Sequence, residues 1–446
     1  MKRTSVTIAV AVCVLLVGAD VASAAGFEVA ELSVRQLGNA YAGKAASGSD
    51  AAIAYFNPAG MTLFEENEIA LPLHLLWTQG TWNDDGSTGV GPPLGDGSLR
   101  GGDGGEPGGM TFIPNLYFIW VATEDLRVGL SINAPFGLTT EYDDGWQGRY
   151  HAIKSHLTTM AVNPSVAYRL DEVFSIGAGF TWMYADAELS QEIDFGTIGF
   201  SQLGPGAGKL GMVPQGSDGY GAITGDSHAW GWNVGLLVEF SESTRMGFAY
   251  RSGFLQNIEG DSKYRVPSEA SVLKQGGAFK NTGGATRLKL PDQFYVSLYT
   301  EVTDEWAIMA DITWTGWSVF EELRITYDNP NQPTTVLPEN WEDVMRYSLG
   351  ATYTPTDDLV LRIGGAFDES PIPDETRTPR IPTNDRWWFA LGASWYIDEA
   401  WSVDLSWMHV FIKDGKIDQT TQTGQRLKGK FKGSADVLGL QVNFRF

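Results

Sequence analysis

The sequence has few of the residues that carry covalent and metal chemistry: one cysteine, Cys13, and five histidines in 446 residues. Cys13 lies in an apolar run from Val6 to Val17, after Lys2-Arg3 and before Ala22-Ser23-Ala24. A basic start, about a dozen apolar residues and a small-residue end predict a secretory signal peptide over residues 1–24, with the mature chain starting at Ala25. The remainder has no thiol, which excludes disulfide and cysteine chemistry. His74, His151, His156, His228 and His409 stand in no nucleophile-elbow or metal-spacing motif. No catalytic residue, metal or cofactor is therefore expected, and the chain is not read as an enzyme.

Long hydrophobic runs are also missing. No later segment holds the roughly eighteen consecutive apolar residues of a helical membrane span. Positive charge is scarce: Lys and Arg total 31 against 54 Asp and Glu, a formal net charge of -23 that moves to about -24 without the signal. Such a surface disfavours nucleic acid as a partner.

Aromatic and glycine residues are abundant, with 16 Trp and 53 Gly, and the apolar ones recur at every second position. Leu438, Leu440, Val442, Phe444 and Phe446 alternate with Gly439, Gln441, Asn443 and Arg445. Phe174, Ile176, Ala178, Phe180, Trp182 and Tyr184 repeat the pattern, as do Trp230 to Phe240 and Trp401 to Trp407. This is the period of a strand with one apolar face. Six short acidic connections, such as Thr123-Glu124-Asp125 and Asp398-Glu399, alternate with seven longer polar stretches near 79–110, 142–155, 191–227, 257–284, 328–340, 369–384 and 412–430. Fourteen strands with short turns at one end and long loops at the other predict an all-β, antiparallel transmembrane β-barrel of an outer membrane. A sheet in lipid has to close on itself, because no water pairs its edges. Trp120, Trp306, Trp314, Trp317, Trp387, Trp388 and Trp401 are expected in interfacial girdles.

Residues 25–66 lack strand alternation. The run 38–61 is rich in Gly, Ala and Ser and closes on Asn57-Pro58-Ala59-Gly60, a fixed turn by its proline and glycine. A fourteen-stranded lumen is too wide for side chains alone to fill, so residues 25–66 are predicted as a plug and 67–446 as its wall.

GNAYAG (38–43), NPAG (57–60), PFGL (135–138), NPSVAYRL (163–170), GDSHAWGWNVG (225–235), RMGFAYRS (245–252), WTGWSVF (314–320) and ESPIPDETRTPRIP (369–382) run across the whole mature chain. Together they resemble the FadL/TodX family of outer-membrane transporters for long-chain fatty acids and aromatic hydrocarbons. The resemblance implies a monomeric barrel with an N-terminal hatch, taking a hydrophobic small molecule from an outer site to an inner pocket and releasing it sideways through the wall. It carries Phe27 into the inner pocket, Asn57, Pro58 and Ala59 to the hatch turn, and Phe136, Gly137 and Leu138 to a kink in the third strand. The residues agree in one respect, since Pro135 and Gly137 interrupt a strand reading from Leu126 to Tyr142. Two readings stay open there: a kink within the wall, or a strand ending at Asn133 with PFGL opening a loop.

The ligand is not specified. The family's fatty-acid transporters are expected to place cations near the end of the fifth strand and before the tenth. Here those positions read Leu189-Ser190-Gln191 and Val336-Leu337-Pro338, with Arg149, Lys154, Arg251 and Arg346 as other candidates. Fatty acid and neutral hydrocarbon both remain. An alternative function is a structural or adhesive outer-membrane barrel whose long loops bind a partner.

Overall fold

The computed structural model describes residues 26–446; the signal peptide expected over residues 1–24 lies outside them. Alternating faces and acidic turns produce fourteen antiparallel strands. The first six are β1 (Glu68–Asp84), β2 (Met110–Pro114 and Leu116–Val121), β3 (Leu126–Asn133 and Gly137–Glu141), β4 (Lys154–Arg169), β5 (Phe174–Asp194) and β6 (Asp218–Ser241). Four interrupted strands follow: β7 (Thr244–Arg251 and Phe254–Arg265), β8 (Thr282–Leu290 and Gln293–Glu301), β9 (Trp306–Thr315 and Glu322–Tyr327) and β10 (Thr335–Pro338 and Val344–Thr356). The last are β11 (Leu359–Asp368), β12 (Arg386–Tyr396), β13 (Trp401–Thr420) and β14 (Arg426–Arg445). β14 closes the sheet on β1, in register from Glu68↔Arg445 to Asp84↔Gly429.

The two faces differ as the alternation requires. In β6, Trp230, Trp232 and Val234 point outward at 59%, 49% and 42% exposure, while Ala229 and Asn233 face in at 6% and 2%. Asp404, Gln441 and Asn443 are buried inside, and Leu405, Leu438 and Leu440 cover the outside. So much outward apolar surface far exceeds what a water-exposed monomer shows and fits a wall in hydrocarbon. No helix among the described residues is long and apolar enough to cross a membrane. The crossing falls to the strands.

Two expectations are corrected. Trp120, Trp306, Trp387 and Trp401 do face outward, but Trp317 and Trp388 are buried inside the barrel. The long connections are also shorter than their polar stretches suggest. The stretch 412–430 is a hairpin laddered to Thr420↔Arg426, and 191–227 is laddered to Asp194↔Asp218. Beyond the bilayer both faces of a strand are wet, so apolar alternation stops while the backbone ladder continues.

Residues 26–66 fill the lumen. They form the short helices α1 (Val34–Leu37) and α2 (Ile53–Phe56) and a 3-10 turn over Pro58–Leu63. Irregular backbone leaves many carbonyls without internal partners, and wall arginines supply donors. Arg245 donates to Ala46 O at 2.7 Å, Arg169 to Thr62 O at 2.6 Å and Arg127 to Phe64 O at 2.7 Å. Two buried ion pairs add to these, Arg35–Asp404 at 2.9 Å and Lys44–Asp311 at 3.6 Å. From Ser33 onward the hatch is fixed to the wall by side chains of β3, β4, β7, β9 and β13.

Candidate functional site

Breaks in three strands build the site. β9 stops at Thr315 and makes a short 3-10 turn, Trp317–Val319, before resuming at Glu322. β10 is open between Pro338 and Val344. These breaks turn Trp317, Phe320 and Trp341 into the lumen, where they box the ring of Phe27. Ring centroids lie 4.7 Å away for Trp317, 5.9 Å for Phe320, 5.5 Å for Trp341 and 6.3 Å for Phe136. Most of the pairs are edge-to-face, the arrangement that brings a ring's positive edge to its neighbour's negative face. Leu138, Leu157, Met183, Leu288 and Leu290 complete the apolar lining.

Gly26 is required by this fit. Its φ is +68°, and a Cβ there would stand 2.6 Å from the Trp341 ring.

The third break is the kink. β2 and β3 are laddered only up to Leu116↔Ile132. β3 then leaves the wall over Ala134–Phe136 and resumes at Gly137, paired with β4 alone from Gly137↔Thr158 to Glu141↔Lys154. PFGL therefore lies within the wall and does not open a loop. Around Pro135–Gly137 the backbone groups turned away from β2 are taken up by the hatch, and farther on Glu141 N donates to Pro107 O of the β1–β2 connection at 3.0 Å. Gly137 N donates to Phe27 O and Val29 N donates to Pro135 O, both at 2.9 Å, and Glu28 bridges Phe136 antiparallel. Proline cannot donate to a ladder; here its carbonyl accepts from a strand-like piece of the hatch instead.

Phe27, Phe136, Gly137 and Leu138 thus come together. Asn57, Pro58 and Ala59 lie in a different packed region, against β5 and β6. Asn57 is fully buried and donates to Ala45 O at 2.7 Å and Leu236 O at 3.2 Å, while its Oδ1 accepts from Ala59 N at 3.1 Å. A Cβ on Gly235 would overlap that Oδ1. The turn holds the hatch to the wall.

The four candidate cations are engaged. Arg149 pairs with Glu192 and Asp218 at 2.9 and 3.1 Å, and Lys154 pairs with Glu188 at 3.0 Å. Arg251 stacks 3.8 Å over Tyr55 and donates to its carbonyl, and Arg346 lies 5.0 Å over Trp388. The cation absent from Leu189-Ser190-Gln191 arrives from the connection between β11 and β12. Arg380 donates to Ser155 Oγ at 3.0 Å, Gln191 Oε1 at 3.1 Å and Ser190 O at 3.3 Å. Burial lowers its pKa to about 10.

Sequence reasoning missed Trp317, Phe320 and Trp341 as cage residues. One signal was available: Trp314 and Trp317 are three apart, which breaks the period-two rule at Gly316. Arg380 had none, being 190 positions from Ser190.

The chain from 15 to 446 matches the model of the family described as outer membrane protein transport protein (OMPP1/FadL/TodX). It is 33% identical over 437 residues to a 47 kDa outer membrane protein of Pasteurella multocida, covering 97% of this chain and 96% of that one. It is 30% identical over 456 residues to a long-chain fatty acid transport protein of Escherichia coli, covering 98% of each. The structure of a Pseudomonas aeruginosa FadL homologue superposes with a TM-score of 0.85 at 23% identity, over 95% of this chain and 100% of that one. The Pseudomonas putida toluene transporter TodX superposes at 0.66 with 17% identity, over 94% and 98%. The chain belongs to the OMPP1/FadL/TodX family of outer membrane transport proteins.

Proposed function

We propose that this outer-membrane barrel takes up hydrophobic molecules, long-chain fatty acids or aromatic hydrocarbons, by passive diffusion past a displaceable hatch, with exit through the gap between β2 and β3. One observation carries the reading. Phe27 fills an aromatic cage of ligand-like character, and the same residue's carbonyl is hydrogen-bonded to the kink at Gly137. A ligand that binds the cage better than Phe27 does shifts the population toward an unseated N-terminus, and unseating frees the backbone of the kink.

An outer collecting surface fits the same reading. The helix Phe195–Leu203 packs on the 3-10 segment Ser268–Gly276 of a neighbouring loop through Phe195, Met212, Ala270 and Leu273. Leu203, Leu210 and Val213 stay exposed there. The protein is proposed to work as a monomer, without cofactor or catalysis.

The test is uptake of oleate and toluene by a host lacking its own channel of this kind, comparing wild type, Gly137→Val and a deletion of Gly26-Phe27. Both variants should keep the heat-resistant barrel on a gel; Gly137→Val should lose most uptake, and the deletion, which removes the ring and the carbonyl that hold the kink, should change uptake because the ligand no longer controls the exit. Uptake unchanged in both defeats the mechanism.

A further inference from the structure

The chain is acidic overall, with 31 Lys and Arg against 54 Asp and Glu, yet six of those cations fall between residues 413 and 432, where only two acids stand. They are Lys413, Lys416, Arg426, Lys428, Lys430 and Lys432, on the outer hairpin of β13 and β14. Ile417, Leu427 and Phe431 are buried on the inner face of that hairpin, so the lysines that alternate with them point outward. Lys416 stands directly opposite Lys430 across the ladder, and Lys428, Lys430 and Lys432 follow one another at every second position. Like charges so placed repel and destabilise a sheet. An anion from outside the chain would remove that cost.

The patch begins where the apolar band ends. The outward face of β13 runs from Trp401 through Leu405 to Phe411, about the ten residues a tilted strand needs to cross hydrocarbon. Lys413 is the next outward residue. On β14, Leu440 and Leu438 give way to Asp436, Ser434 and Lys432. Trp77, Trp387 and Phe411 stay exposed and form an aromatic shelf just below the lysines. This end of the barrel carries the long connections, which places the patch at the outer leaflet. Three of the cations are held by carboxylates: Lys413 by Asp385 at 3.0 Å, Lys430 by Asp414 at 2.8 Å and Arg426 by Asp418 at 2.6 Å. Below them Asp436 accepts from Trp407 Nε1 at 3.1 Å and lies 2.9 Å from His409 Nδ1. The neighbouring β1 presents Gln79, Thr81 and Asn83, all uncharged, before Asp84 and Asp85 in its turn. Among the described residues Lys416, Lys428 and Lys432 form no ion pair.

We infer that this outward face of β13 and β14 binds the phosphorylated head group of an outer-leaflet glycolipid, lipid A, whose acyl chains lie down along the aromatic shelf. Lysine is a point-charge binder of phosphate, and cations clustered at a membrane surface attract anionic lipid strongly. Lys428 to Lys432 spans four residues, about 13 Å along the strand. That is wider than one phosphate and suits a disaccharide phosphorylated at both ends. Gln79, Thr81 and Asn83 stand beside the lysines, in register from Gln79↔Ser434 to Asn83↔Lys430, and offer hydrogen bonds to sugar hydroxyls. The aromatic shelf takes the chains because it lies on the hydrocarbon side of the charges. The site is on the outside of the wall, so it is independent of the uptake reading and of the lumen.

The experiment measures binding of lipid A and of phosphatidylglycerol to the purified full-length protein in detergent, by native mass spectrometry. Wild type should bind lipid A at least about tenfold more tightly than phosphatidylglycerol. Lys416→Gln, Lys428→Gln and Lys432→Gln combined should weaken lipid A by about tenfold or more. A control with Lys263→Gln, Lys274→Gln and Lys280→Gln removes the same charge from exposed positions elsewhere and should bind lipid A as wild type does. An unchanged affinity in the first triple variant overturns the inference. An equal loss in the control overturns it too, because net charge alone would then be the cause. So does a wild type that binds the two lipids equally, or one from which millimolar inorganic phosphate displaces lipid A, which would make the patch a site for the free ion. Should the first triple variant yield no heat-resistant barrel, Lys432→Gln alone decides: about a threefold loss is expected, and no loss overturns the inference.

Discussion

The amide of Gly137 donates to the carbonyl oxygen of Phe27 at 2.9 Å, although the two residues lie 110 positions apart. The ring that fills the aromatic cage and the backbone that leaves the wall are therefore one hydrogen-bonded unit. Removing the ring empties the cage without touching that bond. Phe27→Ala should create an apolar cavity, destabilise the segment locally by about 3–5 kcal/mol, and let a single-ring hydrocarbon enter. Saturable quenching by toluene of the cage tryptophans, seen in the variant and weak in wild type, is the expected result.

Gly26 is the second point of leverage. Alanine there meets both a left-handed backbone at φ +68° and the Trp341 ring. A strain of about 1–3 kcal/mol should unseat the first residues of the hatch while the barrel stands. Limited proteolysis should then cut before Ser33 in Gly26→Ala and spare the wild type.

Asp404 holds the anchored part. It pairs with Arg35, and it accepts from Asn443 at 2.7 Å. Asp404→Ala leaves the Arg35 guanidinium buried without its carboxylate, a loss of about 3–5 kcal/mol. Release of the hatch body should appear as frequent ion-conducting openings in a planar bilayer, at least about tenfold more often than in wild type.

Glu31 gives the hatch a pH dependence of definite sign. Burial raises its carboxyl from 4.5 to about 7, so the seated segment prefers the protonated form. Its seating is firmest below about pH 4.5 and weakens as pH rises to about 7. Hydrogen exchange of residues 27–32, corrected for the intrinsic rate, should quicken over that window. Glu31→Gln should flatten the change.

Much of this was legible from local pattern. The faces of β6 and β14 were readable because neighbouring side chains of a strand must point opposite ways, and lipid rewards only one of them. Pro135 and Gly137 marked an interruption but not its outcome, since a kink and a strand end look alike in one dimension. Trp317 was misread as a girdle residue because an aromatic near a strand end fits a membrane interface and a lumenal cage equally well. Arg380 could not be singled out at all, because a guanidinium's neighbours are set by which strands meet around the barrel.

The sequence by itself determined a closed, lipid-facing wall and a small-residue filling for it, since hydropathy period and side-chain size act residue by residue. Tertiary structure alone decided which groups share the lumen: Phe27 with Trp317, Phe320 and Trp341, and Gly137 with Phe27. Those meetings depend on barrel closure and strand register, which join residues up to several hundred positions apart. No local preference of either partner encodes them.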